Sequence, residues 1–329
     1  MFVFVGITAS LTTILAAPVL TWVWANHLEP NLLRVTRLNW NLPKKFAHLH
    51  GLRIVQISDL HLNHSTPDAF LKKVSRKISS LSPDILVFTG DFVCRAKVET
   101  PEKLKHFLCS LHAPLGCFAC LGNHDYATYV SRDIHGKINT ISAMNSRPLK
   151  RAFTSVYQSL FASSRNEFAD TLNPQIPNPH LVSILRNTPF QLLHNQSATL
   201  SDTINIVGLG DFFAKQFDPK KAFTNYNPTL PGIILSHNPD TIHHLQDYPG
   251  DVVFSGHSHG PQISLPWPKF ANTITNKLSG LENPELARGL FSFPEESRLL
   301  YVNRGLGGWK RIRFCSPPEI CLMRCLYEP

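Results

Sequence analysis

The sequence predicts an α/β fold, with one domain behind an apolar N-terminal segment. Short apolar runs of strand type alternate with amphipathic helical patterns, which is typical of α/β proteins. The 329 residues are 43% hydrophobic and 17% charged, so the chain has enough apolar material to form a large core. No internal repeat or low-complexity tract divides the chain. One domain with an insertion is therefore preferred over two domains.

The N-terminal segment predicts a transmembrane anchor over residues 1–25. No charged residue occurs from Phe2 to Ala25, and this run has the length of one bilayer-spanning helix, with Trp22 and Trp24 near its end. Basic residues follow the run and none precedes it, so the positive-inside bias places the rest of the chain in the cytoplasm. A cleaved signal peptide and a buried core helix are the alternatives, although the run lacks the basic start of a signal peptide.

The rest of the chain divides into a connector and a domain. We interpret residues 26–48 as a basic juxtamembrane connector and residues 49–329 as the domain. Apolar runs bounded by turn residues predict strands at Leu52–Ile57, Ile85–Thr89, Cys117–Leu121, Ile204–Gly208, Gly232–Leu235, Val252–Ser255 and Leu299–Asn303.

Helices are predicted from an N-cap residue followed by proline, because proline fits the first helical position. The pattern also stops between about residues 126 and 180, which we interpret as a helical insertion. Its candidate helix carries Leu149, Phe153, Val156 and Leu160 on one face. The three cap and proline pairs are Thr66 and Pro67, Thr100 and Pro101, and Asn238 and Pro239.

Charge and cysteine content limit the partners and the compartment. The formal net charge of +9 makes the surface attractive to nucleic acid, anionic lipid or a phosphorylated substrate. The seven cysteines have no framework spacing, which favours a reducing compartment over a disulfide scaffold. Cys117 and Cys120 form a C-x-x-C inside a predicted strand, where residues three apart point to opposite faces.

Polar residues of metal-ligand type follow five of the predicted strands. Each block alone occurs by chance in many chains, but the ordered set predicts a metal site where the strand ends meet. Oxygen and nitrogen ligands without thiolate suit Mn²⁺, Fe²⁺ or Zn²⁺ better than a cysteine-based structural zinc site does. The blocks are Asp59-Leu60-His61, Gly90-Asp91, Gly122-Asn123-His124-Asp125, Ser236-His237 and Gly256-His257-Ser258-His259.

With these blocks in this order, the chain resembles the calcineurin-like metallophosphoesterases over about residues 50–310. The resemblance implies a four-layer double β-sandwich flanked by helices, with two divalent metal ions at its edge. We expect Mn²⁺ first, with Fe²⁺ or Zn²⁺ as alternatives. Such a pair of ions acidifies a bridging water for in-line attack on phosphorus. The implied ligands are Asp59, His61, Asp91 and His259 for one ion, and Asp91, Asn123, His237 and His257 for the other.

The resemblance also implies roles for residues beside the metal ligands. His124 would protonate the leaving oxygen or steady the phosphate, and Asp125 would orient its imidazole. A packing role is the alternative for His124. Asn123, His124 and Arg304 are the expected substrate contacts, although the glycine-rich turn at Arg304 equally fits a tight strand connection.

The N-terminal segment and the turn at residues 303–308 resemble a membrane-associated bacterial branch of this family. That branch implies hydrolysis of UDP-2,3-diacylglucosamine to UMP and 2,3-diacylglucosamine 1-phosphate in lipid A biosynthesis, at the bacterial inner (cytoplasmic) membrane. Soluble enzymes of the same step carry Arg where this chain has His124, so no substrate contact is transferred from them. A lipid-linked nucleotide sugar is the expected partner, and nucleic acid is not expected.

Three alternatives stay open at this point. The apolar face of the insertion would cover acyl chains or would simply pack against the domain. The same metal site and positive charge would also serve a phosphodiesterase acting on nucleic acid or cyclic nucleotides. A non-catalytic membrane scaffold that binds phosphorylated lipid is the third.

Overall fold

Two six-stranded sheets, both rich in parallel strand pairs, form the centre of the protein. They are seen in a computed structural model that describes residues 16–132, 138–142, 173–264, 275–277, 279–308 and 310–329. The mixed α/β architecture predicted from the sequence is thereby confirmed. The candidate helix of the insertion, with Leu149, Phe153, Val156 and Leu160, lies outside the described residues.

The first sheet has the strand order β1-β14-β2-β3-β4-β7. Strands β2, β3, β4 and β7 run parallel to one another, whereas β14 runs antiparallel to β2. Parallel strands end at the same edge of a sheet, so the residues that follow β2, β3 and β4 meet there. The bounds are β1 Arg34–Asn41, β2 Arg53–Ile57, β3 Ile85–Thr89, β4 Cys117–Cys120, β7 Phe190–Leu192 and β14 Glu319–Leu326.

The second sheet has the order β12-β13-β11-β10-β9-β8. Strands β9, β10, β11 and β13 are parallel, and β8 and β12 pair antiparallel at the two edges. A separate hairpin of β5 and β6 follows the first sheet's β4. The bounds are β5 Thr128–Arg132, β6 Ile138–Ser142, β8 Gln196–Leu200, β9 Ile204–Gly208, β10 Gly232–Leu235, β11 Val252–Ser255, β12 Gly289–Phe293 and β13 Arg298–Val302.

Helices cover the outer faces of both sheets, and a third apolar layer joins the sheets to each other. Cys117 lies in the core under the helices and Cys120 in the core between the sheets, which confirms that they point to opposite faces. The α-helices are Asp68–Leu81, Pro101–Cys109, Pro179–Leu185 and Pro219–Ala222, and the 3₁₀-helices are Glu29–Asn31, Lys44–Leu49, Pro239–His244, Pro284–Ala287 and Pro294–Glu296.

The predicted helix starts are confirmed at two of the three positions. Thr100 is the N-cap of one helix, and the Asn238 side chain accepts a hydrogen bond from the backbone N–H of Asp240. At the first helix, however, Pro67 is the N-cap, and the hydroxyl of Thr66 accepts from the N–H of Asn63 at 3.3 Å. The threonine hydroxyl is used by the preceding turn, so it does not cap the helix.

Residues 26–48 form part of the domain and not a connector. Strand β1 pairs in parallel with β14 along its full length, and Trp40, Leu42 and Phe46 are buried in the core between the sheets. Leu38, Trp40 and Leu42 alternate with the exposed polar residues Arg37, Asn39 and Asn41, and in a strand this alternation sends the apolar side chains inward. The composition of the segment concealed this pattern.

The described part of the N-terminal segment is helical over residues 16–23 and continues as a π-helix at Trp24–Leu28. We call residues 16–28 the N-terminal helix. Among the described residues, no helix combines the length and the apolar character needed to cross a bilayer. The first fifteen residues of the predicted anchor lie outside the described part of the chain.

Candidate functional site

The five sequence blocks converge at one edge of the paired sheets. Each block follows the carboxyl end of a strand, namely β2, β3 or β4 of the first sheet and β10 or β11 of the second. Five of the seven predicted ligands are buried, and His257 and His259 are half-buried. The predicted ligands therefore come from both sheets and share one site.

The first group of ligand atoms comes from Asp59, His61, Asp91 and His259. One carboxylate oxygen or imidazole nitrogen from each lies within 4.8 Å of the others. The Nε2 atom of His61 is 3.3 Å from Oδ2 of Asp91 and 3.1 Å from Nε2 of His259. This set of two carboxylates and two imidazoles fits one divalent cation.

The second group of ligand atoms uses the same carboxylate oxygen. Oδ2 of Asp91 is 3.2 Å from Nε2 of His237. Oδ1 of Asn123 lies 3.2 Å from that nitrogen and 3.1 Å from Nδ1 of His257. Because Oδ2 of Asp91 faces both groups, a single carboxylate oxygen can bridge two cations.

Hydrogen bonds to other groups orient the ligand atoms of the second group. Nδ1 of His237 lies 2.7 Å from the carbonyl oxygen of Thr89, which only accepts, so this nitrogen carries a proton, and in the neutral imidazole Nε2 presents its lone pair. The Asn123 amide nitrogen donates to the carbonyl of Val130, which leaves Oδ1 facing the site. Oδ1 of Asn123 and, in the neutral ring, Nε2 of His237 thus offer lone pairs that can bind a cation.

The backbone is left-handed at five of the predicted ligands, where L-amino acids are rarely found. The φ angles are 51° at Asp59, 45° at His61, 59° at Asp91, 71° at His257 and 58° at His259. Each such turn follows directly on a strand and directs closely spaced residues into the same site. Strained conformations of this kind cluster at functional sites.

Two glycines of the blocks are required by close packing around the ligands. A Cβ atom at Gly122 would lie 2.3 Å from Oδ1 of Asp91, and one at Gly256 would lie 2.2 Å from Oδ2 of Asp59. Any side chain would therefore displace a ligand carboxylate. Glycine precedes the ligands of these blocks for a steric reason.

The electrostatics of the site favour positive charge at its centre. Burial raises the pKa of Asp59 to about 7, although His237 opposes this shift. Burial also disfavours the charged form of Asp91, but the neighbouring His237, His124 and His61 outweigh it and hold its pKa well below the ordinary value. For His237 the order is similar, because burial disfavours its charge and Asp91 outweighs burial, so its pKa is raised. A divalent cation satisfies the same attraction.

His124 lies beside the predicted ligands with its Nε2 atom toward them. Its Nδ1 atom accepts a hydrogen bond of 2.8 Å from the backbone N–H of Arg95, so the proton of the neutral imidazole is on Nε2. This atom lies 3.9 Å from Oδ2 of Asp91. The ring of Tyr129 packs on the imidazole with centroids 4.1 Å apart. The geometry holds an N–H donor at the ligand cluster.

Asp125 does not orient His124, and this prediction was wrong. Both carboxylate oxygens of Asp125 accept hydrogen bonds from backbone N–H groups. Oδ2 accepts from Asp91 at 2.7 Å and from Gly122 at 2.9 Å, and Oδ1 accepts from Phe92 at 2.9 Å. The buried carboxylate instead holds the loop that carries Asp91. The backbone N–H of Arg95 orients the imidazole.

A cavity of about 490 Å³ opens above the predicted ligands. Arg304 is not part of its lining; its side chain lies beside Gly260, and its predicted substrate contact stays a prediction. Sequence reasoning missed other lining residues, namely Arg95, Tyr129, Arg132 and Phe213. The only signal for Arg95 was its position four residues after Asp91.

Arg313 was also missed, although it supports the site from the C-terminal side. Its side chain is buried, which lowers its pKa to about 10, so it stays cationic at neutral pH. The guanidinium donates to five backbone carbonyls and thereby fixes the loop of His259 and the turn at residues 303–308. The acceptors are the carbonyl oxygens of His259, Arg304, Gly305, Gly307 and Ser316.

Comparison with known proteins agrees with this site. The model of a family described as calcineurin-like phosphoesterase matches residues 52–261, which is more than half of the chain. This range contains all seven predicted ligands together with His124 and Asp125.

Three relatives extend the similarity over most of the chain. The chain is 99% identical over 329 residues to the UDP-2,3-diacylglucosamine pyrophosphatase LpxG of Chlamydia trachomatis serovar D, covering 100% of both chains. It is 87% identical, again over 100% of both chains, to the protein of the same name from Chlamydia muridarum. It is 29% identical to an uncharacterized metallophosphoesterase, YkuE, of Bacillus subtilis, covering 90% of this chain and 87% of that protein.

Proposed function

The chain belongs to the calcineurin-like phosphoesterase family and is a metal-dependent hydrolase, and we propose that it cleaves the diphosphate of UDP-2,3-diacylglucosamine. The products are UMP and 2,3-diacylglucosamine 1-phosphate, so the reaction belongs to lipid A biosynthesis. The names and full-length identity of the two chlamydial relatives support this substrate. The observation that carries the reaction type is the bridging position of Asp91.

We propose that two divalent cations occupy the two ligand groups. Asp59, His61 and His259 complete the first group around Asp91, and Asn123, His237 and His257 complete the second. When bound, such a pair activates water and neutralises phosphoryl oxygens. The donor atoms are oxygens and nitrogens without sulfur, and this set supports Mn²⁺ as the native ion, with Fe²⁺ or Zn²⁺ as the alternatives.

His124 is the hydrogen-bond donor of this proposal. Cleavage of the P–O–P bond leaves negative charge on the departing phosphate oxygen, and a positioned N–H group that donates a hydrogen bond to that oxygen lowers the barrier. Because Nδ1 accepts from Arg95, the donor atom is Nε2, which faces the ligand cluster. The fixed tautomer favours an N–H hydrogen bond to the phosphate over packing alone.

Cationic side chains in the cavity suit a diphosphate substrate. Arg95 and Arg132 line the cavity together with the predicted ligands. Guanidinium groups match phosphate oxygens in charge and in planar geometry. The volume of about 490 Å³ falls in the range of small-molecule sites, which supports a compact headgroup as the ligand.

We further propose that the protein is attached to the bacterial inner membrane through residues 1–25, with the domain facing the cytoplasm. Three side chains in the described part of this segment are largely exposed, with Val19 at 60%, Leu20 at 66% and Trp22 at 58%. Exposed apolar side chains on one terminal helix support contact with lipid. The protein should stay in the membrane fraction after washing with alkaline carbonate, and release to the supernatant would remove the anchor.

The proposed function is tested by following UMP release from UDP-2,3-diacylglucosamine. Detergent-purified protein with Mn²⁺ should release UMP, whereas EDTA or Asp59→Ala should abolish release because the first ligand group is lost. If the wild type leaves this lipid intact but hydrolyses a generic phosphodiester with Mn²⁺, the lipid assignment fails and the metal-dependent mechanism stands.

A further inference from the structure

One wall of the metal cavity continues directly to the N-terminal helix. Ile263 lines the cavity and forms a β-bridge with Phe314. Arg313, the residue before Phe314, donates its backbone N–H to the carbonyl of Ala25 in the N-terminal helix at 2.9 Å. Three chain segments thus lie side by side, from the metal cavity to the helix that bears the exposed apolar side chains.

Glu29 fixes the N-terminal helix to this wall. Its side chain is only 3% exposed, and its carboxylate accepts hydrogen bonds from the backbone N–H groups of Cys315 at 2.9 Å and Ser316 at 2.6 Å. It also accepts from the indole N–H of Trp24 at 2.6 Å. A buried carboxylate needs such partners, and here they come from both segments. The helix therefore has a defined position next to the cavity wall.

Apolar side chains are exposed along this junction. Ile263 is 48% exposed and Trp24 is 42% exposed, although each is fixed at its backbone or indole by the contacts described above. Trp24 has an apolar ring whose one polar atom is already paired with Glu29, so its free surface is apolar. We call Ile263, the half-buried Phe314 and Trp24 the apolar ledge. It begins inside the lining of the metal cavity, so a ligand that contacts both needs a charged head and an apolar tail.

We propose that the acyl chains of the lipid-linked diphosphate lie along the apolar ledge while its diphosphate occupies the metal cavity. This inference rests on the proposed function and assigns the side of the cavity through which the lipid enters. The diphosphate is bound inside the cavity by the metal ions and by Arg95 and Arg132. The acyl chains extend from the cavity toward the N-terminal helix, which we place at the bilayer. The substrate then reaches the site without leaving the apolar phase completely.

The test is the kinetics of Ile263→Asp with UDP-2,3-diacylglucosamine in mixed micelles at a fixed lipid fraction. A carboxylate facing acyl chains opposes binding, so KM should rise by about tenfold or more, which corresponds to about 1.4 kcal/mol. The change acts on binding of the tail in ground and transition state alike, so kcat should change much less than KM. Ile263→Leu keeps the apolar surface and should raise KM much less than Ile263→Asp.

Leu115→Asp is the matched control. Leu115 is exposed to 43%, similar to Ile263, but it precedes β4 and lies at the strand ends opposite the metal cavity. It should leave both constants unchanged. An unchanged KM for Ile263→Asp, or a fall in kcat at unchanged KM, would contradict the proposal that the acyl chains lie along the apolar ledge. Failure of the proposed function is seen separately, because the wild type itself would then release no UMP.

Discussion

Two buried charges support the metal centre, and they do so with opposite chemistry. On the first sheet, the carboxylate of Asp125 accepts the backbone N–H groups of Asp91, Phe92, Val93 and Gly122. On the C-terminal side, the guanidinium of Arg313 donates to five backbone carbonyls. Each charge holds irregular backbone whose polar groups the sheets do not satisfy.

The two supports differ in which ligands they hold. Asp125 fixes the loop of Asp91, whose carboxylate faces both ligand groups. Arg313 binds the carbonyl of His259 and that of Gly307, whose own N–H donates to the carbonyl of Asp59 at 2.7 Å. Asp59 and His259 both belong to the first group. Asp125 therefore supports both ligand groups through Asp91, whereas Arg313 supports only the first group.

The largest effect is expected for His124→Ala, which tests the chemical role of a residue next to Asp125 without changing the support of the ligands. His124→Ala removes the N–H hydrogen-bond donor but no predicted ligand, so turnover should fall by about 100-fold to 1,000-fold while metal content is retained. Metal analysis and the kcat for UMP release check both parts. His194→Ala is the control, because that imidazole contacts Tyr126 outside the cavity lining. Unchanged turnover in His124→Ala would leave this residue a packing role.

Arg313→Met should lower the free energy of unfolding by about 3–5 kcal/mol, because it removes a buried charge that holds five carbonyls. Urea unfolding measures this loss. Arg298→Met is a matched control, since Arg298 is also buried and donates to the carbonyls of Leu245, Tyr248 and Gly250. Only Arg313→Met should weaken one Mn²⁺ site selectively in a calorimetric titration. Equal weakening of both sites would contradict the division of the centre into halves.

Asp125→Asn should lower the free energy of unfolding by about 1–3 kcal/mol. The new amide nitrogen cannot accept the backbone hydrogen bonds that the carboxylate oxygen in its place accepts. Both Mn²⁺ affinities should fall together, since the loop of Asp91 serves both ligand groups. The same titration measures them. Loss of one site alone would show that Asp125 does not act through the shared carboxylate.

The smallest effect is expected for Glu29→Gln, which keeps one acceptor oxygen and loses part of the contact to Cys315 and Ser316. We expect about 1 kcal/mol of lost stability, and a small weakening confined to the first Mn²⁺ site because Ser316 and Arg313 contact the His259 loop. Asp84→Asn is the control, since Asp84 accepts the backbone N–H of Arg53 at the opposite ends of the strands. An equal effect of Asp84→Asn on the first site would remove the link to Glu29.

Sequence reasoning succeeded where one local pattern carries the information. The strands at Ile85–Thr89, Ile204–Gly208, Gly232–Leu235 and Val252–Ser255 begin and end as predicted, because each is a buried apolar run between turn residues. The role of Asp125 was wrong because its partners are backbone groups, which a pattern of side chains does not reveal. Strand β1 was missed because its arginines, together with the lysines that follow it, resemble a juxtamembrane segment by composition.

By itself, the sequence determined the α/β class and the set of predicted ligands, since both depend on which residue types follow which strands. The tertiary structure alone decided that Oδ2 of Asp91 faces both ligand groups, that Nε2 of His124 carries the proton, and that Arg313 and Glu29 support the first group. These features join residues that are far apart in the chain. Their pairing depends on how the two sheets and the C-terminal segment pack, and packing leaves no local signal in the sequence.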